Sequence, residues 1–234
     1  MTAGKLGIIG GIGPLAGAHF YRRLIELTTA DGDSDHLSVV LISEPQIPSR
    51  RAFIAGVGPS PGPALCSVAR RLEAMGCDLI AIPSSTTHAF YSEIAAAVRT
   101  PIVNLIHEVT EDMLNSGVRR PAVLSTLATR EAAIYEPHFG LAIQPLYPPT
   151  TIQDRIEAMI DEVKRGSDVA VIRTELTELI AGSWTRQADA ILLACTETPL
   201  IAPTKCALPI VSATDVLASA VLSRMRPAEK PRQD

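Results

Sequence analysis

The chain reads as an α/β protein built from two similar, pseudo-symmetric halves, each a mainly parallel sheet flanked by helices, with the active site between them. Three observations predict this. Short apolar runs suited to buried strands alternate with amphipathic helical stretches, the pattern of parallel sheets. Two of these runs end alike: Leu79-Ile80-Ala81-Ile82 stops at Pro83-Ser84-Ser85-Thr86-Thr87-His88, and Ile191-Leu192-Leu193-Ala194 stops at Cys195-Thr196-Glu197. Each is followed by a further short strand, 100–104 in the first case and 208–212 in the second, so the chain looks internally duplicated. Two copies face to face would put Ser84 and Cys195 on opposite walls of one cleft, at the carboxyl ends of strands where open parallel sheets bind ligands.

Bulk composition agrees. A hydrophobic content of 47% over 234 residues supports a large buried core, and aromatics at only 4% leave Ala, Val, Ile and Leu to build it, as suits parallel strands covered by helices. The expected division is 1–100 plus 208–226 for the first half and 101–207 for the second, with 227–234 as a disordered charged tail. A net charge of −4 gives no electrostatic reason to expect nucleic acid or an anionic membrane as partner. No stretch approaches the roughly 20 apolar residues of a spanning helix and no leader pattern opens the chain, so a cytoplasmic protein is expected. Cys66, Cys77, Cys195 and Cys206 show neither CxxC pairing nor a His at zinc spacing, which predicts free thiols and no metal site.

Taken in order, Lys5-Leu6-Gly7-Ile8-Ile9 is an opening strand, Gly10-Gly11-Ile12-Gly13 a tight turn lining a crevice, and Pro14 a helix start, with the helix running to about Thr28. Gly11-x-Gly13-x-x-Ala16 also fits a dinucleotide fingerprint, but the acid expected at the end of the second strand comes late, as Glu44. Asp31-Gly32-Asp33-Ser34-Asp35-His36 imitates a calcium loop without its sixth-position glycine, and a solvated turn is the better reading. After the strand 37–43, Glu44-Pro45-Gln46-Ile47-Pro48-Ser49-Arg50-Arg51 is an extended loop carrying two guanidinium groups that can clamp a carboxylate. The glycine- and proline-rich stretch 56–63 is a candidate mobile cover, although a static surface loop is the commoner outcome. A helix over 64–75 leads to the strand at 79–82.

The strand 100–104 and a helix over 108–116, closed by Gly117, end the first copy. Pro121-Ala122-Val123-Leu124-Ser125-Thr126 opens the second, and Leu127-Ala128-Thr129-Arg130 supplies hydroxyls where the first copy had glycines. Thr126 and Thr129 suit carboxylate binding, and equally suit capping a helix that contains 132–135. Ile152, Ile156, Met159, Ile160 and Val163 mark an amphipathic helix with Lys164 off its apolar stripe in the last turn. Helices over 168–182 and 214–224 complete the chain. Cys195, past a strand end and near a helix start, is expected to be biased toward thiolate.

With these residues assembled, the chain resembles the cofactor-independent aspartate/glutamate racemase family over nearly its whole length. The matching segments are Gly7-Ile8-Ile9-Gly10-Gly11-Ile12-Gly13-Pro14, Pro45-Gln46-Ile47-Pro48-x-Arg50, Pro83-x-x-Thr86-x-His88 and Ala194-Cys195-Thr196-Glu197-x-Pro199-Leu200. The resemblance implies a dimer, an active site between two α/β domains, and no pyridoxal phosphate or metal. It implies two cysteines flanking the substrate α-carbon, one removing the proton and the other supplying one to the opposite face. Cys195 matches the second cysteine, Arg50 the substrate-carboxylate arginine and Lys164 a second carboxylate-binding cation. Thr86, Thr126, Thr129 and Thr196 match positions lining the site, and Gly11 and Glu197 lie in the matched segments beside it.

One departure matters. Where the family reads Pro-Cys-Asn-Thr-Ala-His, Ser84 replaces the first catalytic cysteine and Ser85 a substrate-binding asparagine. A hydroxyl can donate or relay a proton but is a poor base near neutral pH. Three functions follow: a racemase of aspartate, glutamate or a similar acidic amino acid using Cys195 with Ser84 as the weaker partner; a one-cysteine decarboxylase of the arylmalonate type; and an inactive binder of an acidic metabolite. Arg50 and Lys164 suit two charged carboxylates, whereas a departing carboxylate is better held in an apolar pocket.

Overall fold

The computed structural model describes residues 4–225; Arg226 and the expected tail 227–234 lie outside the described residues. Strand β1 (Lys5–Gly10) is followed by α1 (Pro14–Glu26), β2 (Ser38–Ser43), α2 (Arg50–Ile54), α3 (Gly62–Ala74), β3 (Leu79–Ala81), α4 (Tyr91–Ala96) and α5 (Leu105–Asn115). Then come β4 (Pro121–Leu124), α6 (Leu127–Glu131), α7 (Glu136–Phe139), α8 (Thr150–Lys164), α9 (Val169–Ile180), β5 (Ala190–Leu193), β6 (Ile210–Ser212) and α10 (Ala213–Met225).

Two three-stranded sheets form, ordered β2-β1-β3 and β4-β5-β6, with every pairing parallel. Single bridges extend each at one edge: Ile102 beside Ile80 in the first, Leu146 beside Ala122 in the second. The duplication is therefore spatial as well as sequential. β3 and β5 hold corresponding places, and both deliver the chain to the carboxyl ends of their sheets, at Ser84 and at Cys195. The expected division, 1–100 plus 208–226 and 101–207, shifts at its edges: Ile102 pairs with the first sheet and Ile210–Ser212 with the second.

Alternation along the strands sorts the core. Leu6 and Ile8 of β1, with Leu192 of β5, join Phe20, Leu217 and Val221 in a cluster shared by the two halves. Ile9 faces the other way, toward Leu65 and Leu72 of α3, while Ile191 and Leu193 face Met159, Ile160 and Leu176 of α8 and α9. Helix α10 packs on α1 and α5, with Leu217, Ala218 and Val221 fully buried.

Several local expectations need correction. Helix α5 begins at Leu105, because the Asn104 side chain accepts the Ile106 and His107 N–H groups and caps it. The loop ending at Arg50-Arg51 is helical from Arg50, capped by the Ser49 hydroxyl accepting from Ala52 N. Thr126 does cap a helix, but that helix is Leu127–Glu131; Ala133, at φ 47°, breaks the chain before Tyr135.

Candidate active site

The first wall is the segment after β3. Ser84 accepts a hydrogen bond from the Thr87 hydroxyl at 2.8 Å, so its own hydrogen is free to point elsewhere. His88 holds this turn from behind. Leu105 N donates to His88 Nε2 at 3.0 Å, which places the ring proton on Nδ1, donated to the Ser84 carbonyl at 2.8 Å. Burial lowers the His88 pKa to about 4, so the ring is a neutral strut. Ser85 shares a hydrogen bond at 3.1 Å with the hydroxyl of Tyr135, which comes from the second half and is buried. Thr86 meets Thr126 at 3.1 Å and Thr129 at 2.8 Å, and those two meet each other at 2.9 Å, a triangle of hydroxyls linking the halves.

The second wall follows β5. Cys195 is 6% exposed, and its thiol donates to Glu197 Oε2 at 3.1 Å; Thr196 donates to the same oxygen at 3.4 Å. The other oxygen, Oε1, lies 3.9 Å from Lys164 Nζ. A Cβ on Gly13 would come within 2.9 Å of that oxygen, so the glycine leaves the carboxylate its place. Burial first, and the Glu197 charge next, push the Cys195 thiol well above its ordinary range, with Lys164 pulling the other way. The resting sulfur is thus a protonated thiol, against the expected thiolate. The reason is local: only a single short 3-10 turn, Thr198–Ile201, follows it, and a carboxylate faces it.

Arg50 reaches over from α2. Its Nη2 donates to Ile12 O at 3.1 Å and its Nη1 to Pro48 O at 3.3 Å, while Nε is buried with no partner among the described residues. Among the described residues no carboxylate is hydrogen-bonded to it, and Glu197 acts on its charge only through space. Arg51 is instead committed to Glu157 at 2.5 Å and Asp161 at 2.7 Å, both on α8.

Ser84, Ser85, Thr86, Arg50, Thr126, Lys164, Cys195, Thr196 and Glu197 thus border one cleft, together with Ile12, Arg51 and Ala194. Its residual volume is about 20 Å³, room for about one water molecule. Thr129 supports the rim through its hydroxyl. Gly11 does not border it: with φ at 83° it packs on the Glu44 backbone, and it shapes the turn that presents Ile12. Tyr135 was not predicted as a site residue, since a segment read as helix gives no sign that one tyrosine turns inward. The Arg51 partners did leave a signal, acids at 157 and 161 in step with Lys164 on the polar side of α8.

A cleft at the carboxyl ends of two duplicated parallel sheets, with a thiol on one wall, a hydroxyl on the other and two cations between, defines an enzyme of the racemase class. Residues 9–221 match the profile of the Asp/Glu/hydantoin racemases, and the chain belongs to that family. It is similar to Picrophilus torridus aspartate racemase, with 31% identity, TM-score 0.86 and coverage of 95% of this chain and 94% of that one. It is 24% identical over 233 residues to the broad specificity amino-acid racemase RacX of Bacillus subtilis strain 168, covering 93% of this chain and 96% of that protein. Glutamate racemase from Francisella tularensis, solved in complex with D-glutamate, shares the fold at 15% identity and TM-score 0.70, covering 98% of this chain and 86% of that one.

Proposed function

We propose that this amino-acid racemase acts on aspartate, glutamate or a similar acidic amino acid, moving the α-proton between faces with Cys195 and Ser84. The observation that carries the reading is the delivery of Ser84 and Cys195, by corresponding strands β3 and β5, to one cleft that also holds Arg50 and Lys164. Arg50, with its buried unpartnered Nε, and Lys164 hold carboxylates. Substrate carboxylate then competes with Glu197 for Lys164. Cys195, after passing its thiol proton to Glu197 Oε2, takes the α-proton from one face. Ser84 donates its proton to the other face, its oxygen supported by the Thr87 hydroxyl, and regains a proton from solvent between turnovers.

These groups carry out the proton transfers themselves, so the reading calls for no cofactor. A homodimer in the cytoplasm belongs to the same proposal; among the described residues no helix is long and apolar enough to cross a membrane. The polar lining, with Arg50, Lys164 and Glu197 together, disfavours a decarboxylase, whose departing carboxylate needs an apolar setting.

The test is proton NMR of each enantiomer of aspartate and glutamate in D2O, with chiral chromatography of the same samples. Exchange of the α-proton with inversion, abolished in Cys195→Ala, is expected. No exchange with any of the four would refute the reading and leave a binder of acidic metabolites.

A further inference from the structure

Arg50 and Lys164 sit on different helices, in the first turn of α2 and the last turn of α8. Neither helix by itself sets their separation. The residue beside Arg50 does. Arg51 Nη2 lies 2.5 Å from Glu157 Oε2 and Nη1 lies 2.7 Å from Asp161 Oδ1. Glu157, Asp161 and Lys164 follow one another at i, i+4 and i+7, so they share one face of α8. The guanidinium next to one cation therefore grips the two helical turns that lead to the other.

Glu157 carries the tie further. Its second oxygen accepts from Leu127 N at 2.6 Å, at the start of α6, where Thr126 borders the cleft. Glu157 is only 16% exposed, so this bridge is less screened than an open surface pair. A planar guanidinium spread across two carboxylates also resists sliding more than a single contact would.

We propose that the bridge from Arg51 to Glu157 and Asp161 sets the spacing between Arg50 and Lys164, making Arg51 a positioning residue that restricts the cleft to the shorter, four-carbon dicarboxylates. This rests on the reading of Arg50 and Lys164 as carboxylate holders. With the bridge closed the cleft retains about 20 Å³, so any diacid enters only as α2 and α8 part, and a longer one must part them further against the same tie.

Succinate and glutarate, inert diacids differing by one methylene, read this spacing without turnover. Calorimetric titration of the wild-type protein is expected to show succinate binding ~10-fold or more tighter than glutarate, the discrimination one methylene gives in a tight site. In the double variant Glu157→Gln/Asp161→Asn, and in Arg51→Gln, that ratio falls several-fold, mainly by tighter glutarate binding. Gln at 157 still accepts from Leu127 N, which protects the fold. Arg155→Gln, which breaks a bridge from α8 to Glu175 of α9, leaves the ratio unchanged.

An unchanged ratio in the two bridge variants, with circular dichroism and melting showing them folded, overturns the proposal. So does a wild-type preference for glutarate, or binding of neither diacid. Racemisation of aspartate is assayed on the same samples. Bridge-dependent selectivity without any racemisation would refute the catalytic reading and keep the spacing device.

Discussion

A thiol that donates to a carboxylate inside a closed cleft holds its proton tightly, and Cys195 is in that position. Its thiolate fraction at neutral pH is small. Alkylation of Cys195 by iodoacetamide, followed by mass spectrometry of its peptide, is expected to accelerate only as the pH climbs past the ordinary thiol range. Glu197→Gln removes the second-largest cause of the upward shift, so the same reaction should run several-fold faster near pH ~8. His88 makes the opposite kind of prediction. Its folded pKa is lowered from 6.5 to about 4, so the unfolded chain binds a proton that the fold refuses. The stability this secures is complete above pH 6.5 and is lost as pH falls toward 4, by about 3 kcal/mol. Urea unfolding across that window should show the loss in the wild type and a shallower slope in His88→Gln.

At the scale of elements, the turn between β1 and α1 controls where Arg50 lies, since Ile12 O accepts its Nη2. Gly11 makes that turn possible. Its φ is 83°, and a Cβ there would stand 2.2 Å from Glu44 N and 2.6 Å from Glu44 C, backbone atoms that cannot swing aside. Gly11→Ala is therefore expected to cost about 2 kcal/mol or more in urea unfolding, and to weaken substrate binding by displacing the loop that carries Arg50. Gly13→Ala acts differently. Its Cβ meets the end of the Glu197 side chain at 2.9 Å and touches Lys164 Cε at an ordinary 4.0 Å, both ends of flexible side chains, so it should spare stability and change the pH dependence of Cys195.

At the scale of the molecule, two unlike groups stand where the duplication predicts like ones. The enantiomers of an amino acid have equal free energy, so kcat/KM must be the same in both directions whatever Ser84 contributes. The asymmetry must show in isotope exchange instead. In D2O, the enantiomer whose α-proton faces Cys195 should exchange with retention faster than it inverts, while the other exchanges no faster than it inverts. Ser84→Cys should bring the two together and raise inversion ~100-fold or more, the usual worth of a competent acid-base partner. Proton NMR with chiral chromatography reads both.

Periodicity and repetition determined the two parallel sheets, the corresponding strands at 79–82 and 191–194, and the cleft at their carboxyl ends, because burial of strand residues depends on local spacing. The family resemblance identified nine of the residues bordering that cleft, since each stands in the few residues after a strand or at a helix end. What stayed hidden depended on distance through space. The protonation of Cys195 follows from a desolvating shell and a carboxylate turned inward, and residue order alone carries neither. Tyr135 reaches Ser85 only because Ala133 interrupts the chain with a left-handed residue. The union of α2 with α8 through Arg51 is a tertiary fact too: 110 residues separate Arg51 from Asp161, and packing of the two halves decides which acids an arginine meets.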